Sequence, residues 1–160
     1  MSDPIIEAIA VEITEAINAI TVANGFNQDL AATRPTRLDF LDGEGQQDLT
    51  VLIVQQDPDE DEESSTEGNP PAKAWIQPFW CIAYVIDSDN ATDPIDSRKN
   101  KVRSDIEKKL RSDPTRDGNA WDTRVRAPES FNLGPAATGI IVVVDVLYKT
   151  SEDDPYVKRQ

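Results

Sequence analysis

The chain has 160 residues, 30 of them acidic and 16 basic, for a formal net charge of −14. That length, with 38% hydrophobic residues, suits one domain with a mainly aliphatic core, while the charge opposes a grip on nucleic acid. There is no histidine, which excludes Ser-His-Asp triads, Cys-His pairs and His-ligated metals, and the one cysteine, Cys81, excludes a disulfide within the chain.

The first segment, MSDPIIEAIAVEI, carries acids where a secretory leader needs positive charge. The longest apolar run, in GIIVVVDVL, is too short to span a bilayer. A soluble protein made in a cytoplasm is expected. Asp3 and Pro4 are placed to cap and open a helix. Ile6, Ile9, Ile13, Ile17 and Ile20 then recur at three- and four-residue steps as one apolar stripe, and Asn24-Gly25 supplies the stop. Phe26 is expected to fold back onto the last turn. Ala32 to Leu38 reads as a short extended segment that Pro35 confines to an edge or loop. Asp42-Gly43 and Gly45 mark a turn. Leu49 to Gln55 is a strand, with Leu52 and Val54 on one face and Val51 and Ile53 on the other.

An acidic stretch follows. From Gln55 to Lys73 the sequence is QQDPDEDEESSTEGNPPAK, with seven acids between Asp57 and Glu67. Lys73 to Asp87 is then a long strand with both faces apolar near its middle, so it is covered on two sides. Pro78 predicts a bulge or an edge within it. The two strands make a hairpin whose loop far exceeds the usual 2–5 or so residues and has no apolar residues to pack a core of its own. A second helix begins at Asp93-Pro94 and stops before Asp113-Pro114. Ile95, Val102, Ile106 and Leu110 face inward. The other faces carry Arg98, Lys99, Lys101, Arg103, Lys108, Lys109 and Arg111, seven of the 16 basic residues. After a turn at Asp117-Gly118-Asn119, Trp121 to Ala127 is a short strand with Trp121, Thr123 and Val125 on one face. Pro128 to Pro135 is a loop, and Gly139 to Thr150 the strongest strand. This order predicts an α+β domain over 1–160: a mixed, mainly antiparallel sheet with two amphipathic helices packed on it. Residues 56–72 form a flexible acidic hairpin insertion and 151–160 a polar tail.

No catalytic residue, metal site or cofactor is expected. DPDEDEE lacks the flanking helices and the glycine placement of an EF-hand, so it reads as a solvated loop. Cys81 reads as a small buried hydrophobe. Asp145 interrupts an apolar strand. A buried catalytic carboxylate is one reading; an outward or subunit-interface position is favoured, because its face also holds Ile141, Val143, Leu147 and Lys149. Asp87, Asp89, Asp93 and Asp96 serve capping and the helix dipole. The basic helix carries Asp96, Asp105 and Glu107 among its cations, which argues against a phosphate-binding stripe. An acidic surface on a neighbouring subunit is the better partner.

Several phrases carry a resemblance: the N-terminal helix ending in Asn24-Gly25-Phe26, the strand WIQPFWCIAYVI, the helix IDSRKNKVRSDIEKKLRSD, the segment NAWDT, and IIVVVDVLYKT with the ending DDPY. In this order they resemble the tail-terminator (tail-completion) proteins of tailed bacteriophages, of the lambda minor-tail-protein type. The resemblance covers most of the chain, and the acidic insertion is the departure from it. It implies a mixed-sheet fold assembling as a ring, usually of six subunits. The ring would cap the tail tube, end its growth and meet the head-side connector or stopper, with viral DNA passing through unbound and no membrane involved. Asp57, Asp59, Glu60, Asp61, Glu62, Glu63 and Glu67 would then face the lumen, where they repel phosphates within a Debye length of about 8–10 Å, or meet the basic helix of a neighbour. If neither holds, the loop is a spacer. Other readings are a stopper or head-completion protein, an acidic intracellular protein-binding module, and, least favoured, a carboxylate hydrolase.

Overall fold

The computed structural model describes residues 3–35, 47–87 and 92–159. Helix α1 spans Ile5–Asn18. Ile9, Ile13, Ile17 and the following Ile20 are fully buried, and Ile5 is nearly so. Each such side chain contributes about 1.5–3 kcal/mol relative to exposure. Ile6, placed in the stripe by its spacing, is only partly buried at the rim. The expected cap at Asp3 is not made: Pro4 is the N-cap residue, and its carbonyl accepts from the Glu7 and Ala8 amides. The helix ends before Asn24-Gly25. Those residues instead close a 3-10 turn, Val22–Asn24, with Gly25 left-handed at φ +83°.

Strands β1 (Ala31–Thr33), β2 (Thr50–Gln55), β3 (Asp59–Glu60) and β4 (Ala72–Ile86) precede helix α2 (Ile95–Ser112). Strands β5 (Asp122–Val125), β6 (Glu129–Asn132) and β7 (Ala137–Ser151) follow it. The main sheet order is β1-β2-β4-β7-β5. Among the described residues, β1 and β2 alone pair in parallel and the other pairs are antiparallel. The centre is the β4–β7 ribbon, unbroken from Ala72 opposite Ser151 to Ile86 opposite Ala137. This is the predicted α+β architecture, with both helices on one face of a mixed, mainly antiparallel sheet. The turn expected at Asp42-Gly43 and Gly45, the end of the segment at Leu38, and Asp89 lie outside the described residues.

The helix-side core joins the isoleucines of α1 and Val102, Ile106 and Leu110 of α2 to alternate residues of the sheet. These include Val51, Ile53, Phe79, Cys81, Val142 and Val144. Burial pushes the Cys81 thiol up to about 12, so it behaves as the expected small hydrophobe. The opposite face carries a second cluster of Leu52, Val54, Ile82 and Tyr84, against which Phe131, Leu133 and Ile141 pack. Two-sided cover of β4 thus holds near its middle. Trp80, on this outer face, keeps 37% of its surface exposed.

Pro78 does not distort β4. The irregularity lies in its neighbour. Gln55 stands opposite Phe79, so an unbroken ladder would set Pro58 opposite Ile76; Asp59 stands there instead. The chain carries one extra residue between β2 and β3. Pro78 sits at this break. Its carbonyl accepts from the Gln56 amide at 3.0 Å, so its nitrogen, which has no hydrogen, points to the side where the ladder is already interrupted. The buried Gln77 amide fills the gap, donating to the Gln56 and Pro78 carbonyls.

Two other expectations shift. The loop Pro128–Pro135 contains β6, which pairs with residues 138–141 of β7. Its Phe131 ring lies directly over Gly139, where a Cβ would collide with it. Trp121 precedes β5 and stays 43% exposed, while Thr123 is buried and Val125 packs against the core. The tail folds back along β7: Ser151 N donates to the Val157 carbonyl at 2.9 Å and Arg159 N to the Lys149 carbonyl at 3.2 Å.

Candidate functional site

The acidic insertion runs along the free side of β4. Asp59 and Glu60 pair with Ile76 and Trp75. Asp61 N donates to the Ala74 carbonyl at 2.9 Å, and its own carbonyl accepts from the Ser64 and Ser65 amides at the turn. Thr66 and Ala72 exchange two further backbone bonds, at 2.9 and 3.0 Å. These bonds use backbone, which leaves the carboxylates outward. Asp57, Asp59, Glu60, Glu62, Glu63 and Glu67 are all exposed, and Asp61 is half-buried. Among the described residues, no group of three acidic or cysteine side chains is placed to hold a metal ion.

The cations of α2 are mostly matched within the chain. Arg98 donates to the Ile86 carbonyl at 2.6 Å and pairs with Asp48. Lys101 pairs with Asp93, and Lys99 with Asp96 at 3.5 Å. Glu107 bridges Arg103 and Arg111 at 3.3 and 3.7 Å. Lys108 lies 4.9 Å from the centre of the Phe26 ring, which packs against the helix-side core. Lys109 is half-buried near Glu12. Asp105, an apparent surface acid by sequence, is 2% exposed and accepts from the Asn27 backbone and side-chain amides, both at 2.8 Å.

Asp145 lies on the outer face, as its strand parity indicates, and is 9% exposed. Arg126 holds it with two bonds, 2.6 and 2.7 Å. The Asp145 bond, reinforced by the charges of Asp145 and Asp59, raises the Arg126 pKa despite some desolvation. The acidic insertion therefore reaches the outer face of the sheet beside this pair.

A groove that the sequence did not reveal lies on the opposite edge. It has a volume of about 320 Å³ and is lined by Thr115, Asn119, Trp121, Lys149, Lys158 and Arg159. Lys149 Nζ stands 4.2 Å from the centre of the Trp121 ring. Lys158 Nζ borders Gly118, and the buried Arg159 Nε has no hydrogen-bond partner. None of the three cations forms an ion pair among the described residues. On α2, by comparison, five of the seven cations form ion pairs. In the groove, the turn after α2 meets the end of β7 and the tail that follows it. The one signal in the sequence is that Lys149, Lys158 and Arg159 crowd the last dozen or so residues of an acidic chain.

Arg116 was also missed. It is fully buried at the turn after α2, with φ +47°. Its guanidinium donates to Thr123 Oγ1 at 3.1 Å, to Glu12 at 3.2 Å, and to the Leu110 and Asp113 carbonyls. It closes the C-terminal end of α2 and ties it to α1 and β5.

No family model matches the chain, and no curated protein matches it. No helix among the described residues is long and apolar enough to cross a membrane.

Proposed function

We propose that this chain is a structural subunit of a tailed-phage neck: a terminator that closes into a ring, caps the tail tube and joins it to the head-side connector. The observation that carries this reading is the element order. A first amphipathic helix, an edge strand, a long central strand, a second amphipathic helix, a short strand and a long final strand fold into one sheet with both helices on one face. The resemblance in the sequence implies a mixed-sheet α/β fold, and the mixed sheet with its two helices supports that reading. The charge supports the same role. DNA must pass through a neck without being held, and a surface of net charge −14 opposes phosphate binding.

Negative-stain imaging of the purified protein, alone and mixed with tail tubes, tests it. Rings, and caps at one end of the tubes only, are expected. Binding to an isolated neck in place of the tubes would reassign the chain as a stopper. A protein monomeric at every concentration in native mass spectrometry would favour an acidic protein-binding module.

A further inference from the structure

The acidic insertion and the basic groove occupy one level of the sheet. Asp61 N bonds to the Ala74 carbonyl, Ala74 stands opposite Lys149, and the Lys149 carbonyl accepts from Arg159 N. One rung thus runs Asp61–Ala74–Lys149–Arg159. Its two ends are separated by three strand spacings, about 14 Å. The insertion is the edge on the β4 side, and the groove is the edge on the β7 side. One end carries seven acids within Asp57–Glu67. The other carries three cations without ion pairs, an exposed indole and a buried guanidinium Nε without a partner.

We propose that the groove of Trp121, Lys149, Lys158 and Arg159 is the receptor for the acidic insertion of a second copy of this chain. The inference rests on the ring-forming reading and names its contact. Opposite edges of one subunit bear complementary charge, so subunits set side by side join acid to base in a head-to-tail, heterologous manner. Carboxylates of Glu60, Glu62, Glu63 and Glu67 replace water around Lys149 and Lys158. Arg159, in the lining of the groove, adds a third cation to the contact. The sequence points to α2 as the basic partner, but five of its seven cations, all but Lys108 and Lys109, form ion pairs within the chain.

Two measurements test the contact. In the first, a peptide spanning residues 56–72 is titrated into protein whose own insertion is reduced from seven acids to three by Glu60→Gln, Glu62→Gln, Glu63→Gln and Glu67→Gln. Saturable binding is expected, weakening with salt and falling at least about tenfold when Lys149, Lys158 and Arg159 are also changed to Gln. Absence of binding at low salt overturns the proposal, whatever the oligomeric state. So does tighter binding of a single-stranded oligonucleotide than of the peptide, or loss of peptide binding in Arg103→Gln/Arg111→Gln on α2.

The second measurement is a charge swap read by native mass spectrometry. Lys149→Glu/Lys158→Glu/Arg159→Glu and Glu60→Lys/Glu62→Lys/Glu63→Lys/Glu67→Lys each oppose self-assembly. Mixed, they present matched edges in alternation, and the oligomer is expected to return; its return also shows that both variants fold. Rings persisting in either variant alone overturn the groove contact and leave the ring-forming reading standing. A monomeric wild type that nevertheless binds the peptide keeps the groove and removes the ring.

Discussion

Glu12 and Arg116 show how a buried charge pair sets a pH response. Burial pushes the Glu12 carboxyl above its ordinary value of 4.5, and Arg116 pulls it only part of the way back. The folded protein therefore holds that proton more tightly than the unfolded chain does. The stability it confers is complete below the unfolded value and falls as pH rises through the folded one. Glu7 has the opposite sign: its hydrogen bond from Arg34 lowers its pKa, so its contribution is lost as pH falls. Glu12→Gln removes the first effect alone. In denaturant unfolding at about pH 4 and about pH 7, the variant will gain on the wild type at the higher pH; a constant difference would count against the raised carboxyl. Gly139 makes a steric test. Gly139→Ala places a methyl against the Phe131 ring and is expected to cost about 1–3 kcal/mol. In a Phe131→Ala background most of that cost should vanish, because the two residues share one contact. Equal costs in both backgrounds would place the strain elsewhere.

At the scale of elements, the insertion behaves as a strand of charge held by backbone bonds. Changing Glu60, Glu62, Glu63 and Glu67 to Gln leaves those bonds intact and relieves repulsion among neighbouring carboxylates. The variant will melt no lower than the wild type at low salt, and added salt will raise the wild-type melting temperature more. A lower melting temperature for the variant would mean that the carboxylates themselves hold the fold. The helices and the long strands were legible because their signals are local. The isoleucine stripe of α1 repeats with the helix, and alternation along residues 73–87 and 139–150 assigns both faces of β4 and β7. β6 was not legible: prolines bracket it, and its pairing depends on a strand that follows in the sequence. Pro78 marks the break in the ladder from sequence, but does not show that the extra residue belongs to the partner strand. The basic groove was hidden for the same reason as β6, since Trp121, Lys149 and Arg159 become neighbours only once the tail folds back.

At the scale of the molecule, charge is sorted by edge and not spread evenly. An assembly held by the insertion and the groove will come apart as sodium chloride rises from about 0.1 M to about 1 M, because the screening length shrinks from about 10 Å to about 3 Å. An assembly held by the apolar outer face around Trp80 would persist or strengthen, and analytical ultracentrifugation across that range separates the two. The shared rung has a geometric consequence. A contact joining two points at the same level adds no rise along the strand direction from one subunit to the next. In the proposed ring such a contact sets neighbours level along the strands, and the rotation between them closes the circle. Had the groove lain several residues further along β7, the contact would carry an offset of about 3.3 Å per residue along the strands from one subunit to the next. In the proposed ring, the level at which the tail folds back onto β7 thus sets how neighbouring subunits align along their strands.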